Sequence, residues 1–204
     1  MSDLKSNFWD ERYSSEEYVY GVEPNQFFKR VLDKIPVPGK LLLPGEGEGR
    51  NAVYAAKLGW LVDAFDQSTN AKKKALKLAE INDVIINYSV VDLRNFTPTI
   101  NYYHAAATIF VHFNSEVRSV FHHKIINSLK PGGRLILESF SKNQLGKNSG
   151  GPQAFEMLYS LNDVVNDFKE LKTILLEEKN VFLNEGDKHK GEASVIRYIG
   201  EKLK

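Results

Sequence analysis

Between residues 40 and 140, short wholly apolar runs alternate with stretches whose apolar residues recur at helical spacing. Leu41-Leu42-Leu43 is the first such run, and it leads through a glycine-rich turn into a helical stretch over residues 51–58. An apolar strand that feeds directly into a helix is what a parallel sheet covered on both faces requires. The next unit repeats the pattern. Gly59 ends the helix, residues 61–65 read as a second strand closing on Asp66, and residues 70–81 carry Ala71, Ala75, Leu78 and Ala79 at helical spacing beneath a basic outer face. Residues 84–91 read as a third strand ending at Asp92, and 105–111 as a fourth. Its helix spans 115–129, stopped by Lys130-Pro131-Gly132-Gly133, and residues 134–140 make a fifth strand.

Both ends break this rhythm. Residues 8–28 are aromatic and acidic (Phe8, Trp9, Tyr13, Tyr18, Tyr20, Phe27, Phe28), with a break at Gly21 and with Pro24 opening a helix to about Leu32. After residue 140, a loop with Gly146 and Gly150-Gly151-Pro152 leads into an expected helix over 153–159 and a second periodic stretch over 161–168. Two strand-like segments follow, 173–183 and 193–199, joined through Asn184-Glu185-Gly186-Asp187. So short a connection makes them antiparallel, because a parallel return needs a crossover of a dozen or more residues. The pattern gives one α/β domain with a mostly parallel sheet: an N-terminal lid or helical segment laid over the core at residues 1–35, a core over 40–140 and a closing section over 141–204.

Composition narrows the chemistry. The 204 residues contain no Cys, which removes a disulfide framework, a thiolate metal site and a cysteine nucleophile together. With 27 Lys+Arg against 26 Asp+Glu, the formal charge of +1 supplies no field that would call for nucleic acid or an anionic membrane. The first ten residues are charged without an apolar core, and no apolar run approaches the roughly 20 residues of a membrane span. A cytoplasmic protein is expected.

The candidate chemistry begins at Gly45-Glu46-Gly47-Glu48-Gly49, directly between the first strand and its helix. Glycines there let the chain turn tightly and let a ligand approach the backbone at the positive end of a helix. A dinucleotide fingerprint would place glycine where Arg50 stands, and two glutamates repel a pyrophosphate. A nucleoside ligand without phosphate and with a cationic part suits the loop better. Asp66, 21 positions after Gly45, ends the second strand, where a carboxylate can accept hydrogen bonds from both ribose hydroxyls. Asp92, ending the third strand, either receives an adenine amino group or serves as a turn residue before Leu93-Arg94-Asn95.

With these pieces in order, residues 41–49, 62–66, 90–92 and Leu129-Lys130-Pro131-Gly132-Gly133-Arg134-Leu135 resemble class I S-adenosylmethionine-dependent methyltransferases. Arg50-Asn51 after the glycines, with the aromatic segment from Trp9 to Tyr20, resembles more narrowly the small-molecule branch that includes tellurite-resistance and thiopurine methyltransferases. The resemblance implies a Rossmann-like, doubly wound seven-stranded sheet in the order 3-2-1-4-5-7-6 with its last strand antiparallel. It implies S-adenosyl-L-methionine as cofactor, and a small-molecule acceptor such as a thiol or metalloid anion rather than nucleic acid or membrane. The cofactor-binding set it implies is Gly45, Glu46, Gly47, Gly49, Arg50, Asn51, Asp66, Gln67, Asp92, Leu93, Val111 and Tyr20. One departure stands out: Leu43 occupies the position where the family usually has an acid, followed by the unusual Pro44, and Glu46 or Glu48 is the expected replacement.

Methyl transfer from an activated donor asks a protein mainly to align the reactants and exclude water, so one base, or none, suffices. His112, just past the fourth strand, and His189, between the last two strands, are the candidate bases, each with a structural alternative. His122-His123 point about 100° apart on a helix and form no zinc pair, so no metal site is expected. Lys72-Lys73-Lys74 read as a solvated helix face. Trp9, Tyr13, Tyr18 and Tyr20 read as a lid over the cofactor or as an apolar clamp on the core. The Gly150-Gly151-Pro152 loop shapes the acceptor pocket or merely starts a helix. Two rival functions follow from the same residues: a protein that binds the cofactor without turnover, for which Leu43 speaks, and a nicotinamide-dependent oxidoreductase, against which Arg50 speaks.

Overall fold

The computed structural model describes residues 3–203, with side-chain surroundings from residue 8 onward; Met1, Ser2 and Lys204 lie outside the described residues. Thirteen helices and strands follow one another: α1 (Asp3–Arg12), α2 (Gln26–Leu32), β1 (Lys40–Pro44), α3 (Arg50–Lys57), β2 (Leu61–Asp66), α4 (Thr69–Ile81), β3 (Asn87–Val90), β4 (Tyr103–Ile109), α5 (Ser115–Ser128), β5 (Leu129–Phe140), α6 (Leu161–Asp167), β6 (Leu171–Asn184) and β7 (Lys190–Lys202). They form one seven-stranded sheet in the order β3-β2-β1-β4-β5-β7-β6. All pairs from β3 to β5 are parallel, and β7 runs antiparallel to both β5 and β6.

Strand alternation sorts the apolar runs onto two faces. Leu41 and Leu43 pack with Phe27 and Phe28 of α2, Ala52 and Val53 of α3 and Ala75 of α4. Leu42, between them, packs on the opposite face with Phe121 and Ile125 of α5 and Val164 of α6. Helices on both faces explain why β1 is apolar at every central position.

Several local expectations change. Helix α2 opens at Gln26, two residues after Pro24, with Asn25 as N-cap accepting the Phe28 N–H at 2.9 Å. Strand β3 is shorter than the apolar pattern suggested, because the Val84 N–H is spent on the Ala79 carbonyl at the end of α4. Strand β5 starts early, at Leu129, and passes Lys130-Pro131-Gly132-Gly133 opposite an irregularity at Tyr103/Ala105. No α-helix forms over 153–159; a single 3-10 turn, Phe155–Met157, stands there. Tyr159 is drawn instead to the end of β5, donating its N–H to the Phe140 carbonyl at 3.1 Å and accepting the Lys142 N–H at 2.9 Å. No helix among the described residues is long and apolar enough to cross a membrane.

Candidate functional site

The carboxyl ends of β1, β2 and β4 meet where the winding of the sheet reverses, the usual ligand edge of an open α/β sheet. The chain leaving β1 is tied to β2 at once, because the Gly45 N–H donates to the Phe65 carbonyl at 2.8 Å. Gly45, Gly47 and Gly49 have φ of 67°, 65° and 91°. At Gly45 a side chain fails twice: the backbone is left-handed, and a Cβ would lie 2.8 Å from Val111 Cγ2 and 3.3 Å from Leu93 Cδ2. The sequence-expected Gly45, Leu93 and Val111 thus come together.

Asp66 is buried beside this loop. Its Oδ2 accepts the Gly47 N–H at 3.2 Å and its Oδ1 the Ser68 N–H at 3.0 Å, while Gln67 turns its N–H to the same carboxylate. Desolvation raises its pKa to about 6, and the Asp10 carboxylate adds to the rise. Among the described residues no cation pairs with it, so its charge is held by backbone dipoles alone.

The N-terminal segment is fastened over the same edge. Asp10 accepts the Ser68 hydroxyl at 2.5 Å and the Asn70 N–H at 3.0 Å. Tyr13 is buried with its hydroxyl 2.8 Å from where a Gly47 Cβ would stand, and Trp9 stacks on it at 5.6 Å. Glu48 accepts the Val19 and Tyr20 N–H groups at 3.2 and 3.3 Å and pairs with Lys74. Lys74 also donates to the Ser15 carbonyl at 2.9 Å. Lys74 therefore leaves the solvated helix face expected of it and anchors the segment.

The two loop glutamates are both engaged by the chain. Glu46 accepts the Asn51 and Ala52 N–H groups at 2.8 and 2.7 Å, a carboxylate on the positive end of α3. Burial nevertheless raises its pKa to about 7. Glu48 is neutralised by Lys74, so neither acid stands free as the replacement for the family's strand-end acid.

A second buried polar cluster lies beyond β4. Glu138 accepts from Asn25 Nδ2 at 2.5 Å and from Arg197 Nε at 2.6 Å. Glu185 accepts from Arg50 Nη2 at 2.8 Å and from Asn25 Nδ2 at 3.1 Å, and Asn51 Oδ1 accepts the Asn25 N–H at 2.9 Å. Arg50 and Asn51, expected at the cofactor, tie the glycine loop to the N-terminal segment and to the β6–β7 turn. His189 is buried among Tyr20, Phe110 and Phe140, with ring centroids 4.5, 4.6 and 5.3 Å away. Its Nδ1 lies 3.8 Å from Glu185 Oε2 and has no hydrogen-bond partner among the described residues. Burial, with Arg50 nearby, lowers its pKa and keeps it neutral. Tyr20 and Glu185, both neighbours of His189, line a cleft of about 1080 Å³ together with Asn25, Glu138 and Arg197.

Two expected residues are engaged by the chain itself. Asp92 is chelated by the Arg94 guanidinium and accepts the Arg94 N–H at 2.9 Å, the turn role among its two readings. His112 spends both ring nitrogens on backbone, Nδ1 on the Met157 carbonyl at 2.9 Å and Nε2 on the Phe140 N–H at 3.3 Å. With its pKa lowered to about 4 by desolvation, it has no free nitrogen for an acceptor's proton. His122 is buried with its Nδ1 2.8 Å from Asp167, and His123 is exposed. The residues that sequence reasoning missed are Asn25, Glu138, Glu185 and Arg197. A lone Glu138 within the apolar Leu135–Phe140 half of β5 was a readable signal; a glutamate in a turn, such as Glu185, was not.

The family described as tellurite resistance protein TehB matches the chain over residues 8–198. The chain belongs to that family. The fold and the TehB family are those of S-adenosylmethionine-dependent methyltransferases, and S-adenosylmethionine is the cofactor. TehB from Haemophilus influenzae is similar in structure, with a TM-score of 0.72 at 17% identity, over 97% of this chain and 67% of that one. The N-methyltransferase NodS from Bradyrhizobium japonicum, solved with S-adenosyl-L-homocysteine, has a TM-score of 0.71 at 12% identity, over 99% of this chain and 100% of that one. A structure concerned with conversion of a disulfide bond into a thioacetal group during echinomycin biosynthesis has a TM-score of 0.79 at 13% identity, over 98% and 90%. No curated protein sequence matches the chain.

Proposed function

We propose that this chain works in the cytoplasm and methylates a small soft acceptor, such as a thiolate or metalloid anion, with Asp66 as the main polar anchor of S-adenosylmethionine. The observation that carries the reading is the Asp66 carboxylate: buried, without a cation, and using three backbone donors of the roughly four lone-pair sites a carboxylate offers. The remaining site suits a ribose hydroxyl. Gly45, Gly47 and Gly49 keep the adjacent backbone bare, and Leu93 and Val111 offer an apolar wall. When bound, the cofactor supplies an electrophilic methyl on a sulfonium sulfur. Tyr13 and the segment it belongs to cover that edge and keep water out.

The acceptor approaches through the cleft lined by Tyr20 and Glu185. Phe110, Phe140 and Tyr20 surround His189 with apolar rings, beside which a poorly hydrated nucleophile stays reactive. His189, neutral and with Nδ1 unpaired, is the group that orients the acceptor or takes its proton. A soft metalloid acceptor accords with the tellurite-resistance family, and a sulfur-centred one with the thioacetal-forming structural neighbour. The test incubates the protein with methyl-labelled S-adenosylmethionine and matched thiol, tellurite, amine and phenol acceptors. Label moving to a thiol or tellurite supports the reading. Label moving only to amine or phenol refutes the soft acceptor, and cofactor binding without any transfer supports the non-catalytic rival.

A further inference from the structure

The two edges of the sheet are unlike. Strand β3 is four residues long, whereas β6 at the opposite edge runs for fourteen, from Leu171 to Asn184. An edge strand of that length presents a row of backbone N–H and C=O groups that can template another strand. Among the described residues, the backbone of β6 pairs with β7 and no other segment closes its outer side. Large apolar side chains are also exposed along it, Phe182 at 73% and Ile174 at 48%.

The sequence of this edge is complementary to itself. An isologous antiparallel pairing about a two-fold axis perpendicular to the sheet keeps each residue on its own face, so partners must be separated by an even number of positions. Beyond the irregularity at Thr173/Leu175 the strand is regular, and the midpoint of the whole of β6 falls between Glu177 and Glu178. With Glu178 on the axis, Glu177 of one copy faces Lys179 of the other, twice. Leu175 faces Val181, twice, on the same face. The one like-charged meeting is Glu178 with itself, and that carboxylate is drawn aside by Asn143 Nδ2 at 2.7 Å. Shifting the axis by one residue to Lys179 puts two lysines together and sets Glu177 against Val181, which breaks the match.

We propose that β6 pairs with β6 of a second copy, joining two seven-stranded sheets into one continuous sheet, with the Glu177–Lys179 pairs fixing the register. The proposal does not rest on the methyl-transfer reading, although Leu175, Glu177, Lys179 and Val181 also border the cleft lined by Tyr20. Sedimentation velocity over a concentration series tests it, using the full chain, Glu177→Lys, Lys179→Glu and the double swap, each checked for its fold by circular dichroism. The expected result is a reversible dimer whose dissociation constant rises at least ~tenfold in either single variant, since like charges directly opposite destabilise a strand pair, and returns to within ~threefold in the double swap. A monomer at every concentration, a dimer indifferent to the single changes, or a double swap that fails to restore association would each overturn it.

Discussion

Asp66 and Glu185 are both acidic, both buried and both at the edge where ligands gather, yet their surroundings push them in opposite directions. Asp66 meets backbone N–H groups without a cation, and desolvation lifts it to about 6. Glu185 meets the Arg50 guanidinium at 2.8 Å, and that buried pairing holds it down to about 2 against its desolvation. The difference separates a charge left for a ligand from one consumed by the scaffold. Burial alone marks neither; the presence or absence of a counter-charge does.

The sharpest way to break this contrast is Asp66→Ala, which should weaken S-adenosylhomocysteine binding by ~100-fold, about 3 kcal/mol, the scale of losing a charge-assisted hydrogen bond to a ribose hydroxyl. Folding, read by circular dichroism, should survive. Glu185→Gln should act on stability instead, costing roughly 2–3 kcal/mol at neutral pH in urea unfolding, because it leaves Arg50 buried without its partner. The sign with pH follows from the lowered pKa. The contribution of Glu185 is complete above its unfolded value near 4.5 and fades as pH falls toward 2, so variant and parent should converge in acid. Equal losses at pH 7 and pH 3 would show that the ion pair is not what holds Glu185.

Glu46 sits on the Asp66 side of the comparison, raised from 4.5 to about 7. A raised carboxyl binds its proton more tightly when folded, so it costs stability progressively as pH rises from 4.5 through 7. Glu46→Gln should remove that decline and gain roughly 1–2 kcal/mol at pH 8, measured by unfolding across the range. The amide keeps one oxygen to cap α3, which is why the change should be tolerated. The smallest effect is expected at Asp92, whose carboxylate is turned onto Arg94. Asp92→Asn should change cofactor affinity by less than ~threefold, since exposed pairs of this kind contribute little. A larger loss would restore Asp92 to the adenine role.

The parts of this comparison that were legible in the sequence are those fixed by local rules. Left-handed turns need glycine, strand ends project their acids, and a short connection between strands forces antiparallel pairing, so Gly45, Asp66 and the β6–β7 hairpin were all readable. The order of the strands came with the family resemblance carried by the same residues. What stayed hidden depends on long-range partners. That Glu46 would cap α3, that Lys74 would bind a segment nearly sixty residues earlier, and that His112 would be spent on Met157 and Phe140 leave no local trace. The missing helix over 153–159 has the same origin, since Tyr159 finds the end of β5 a better partner than its own neighbours.

The central claim is that the uncompensated Asp66 carboxylate holds the cofactor. Calorimetric titration of S-adenosylhomocysteine into the parent protein and Asp66→Ala, with NAD as a control, tests it most directly. Saturable binding to the parent, weakened ~100-fold in the variant and not reproduced by NAD, is the expected result. Equal affinity in a folded Asp66→Ala protein would contradict the account.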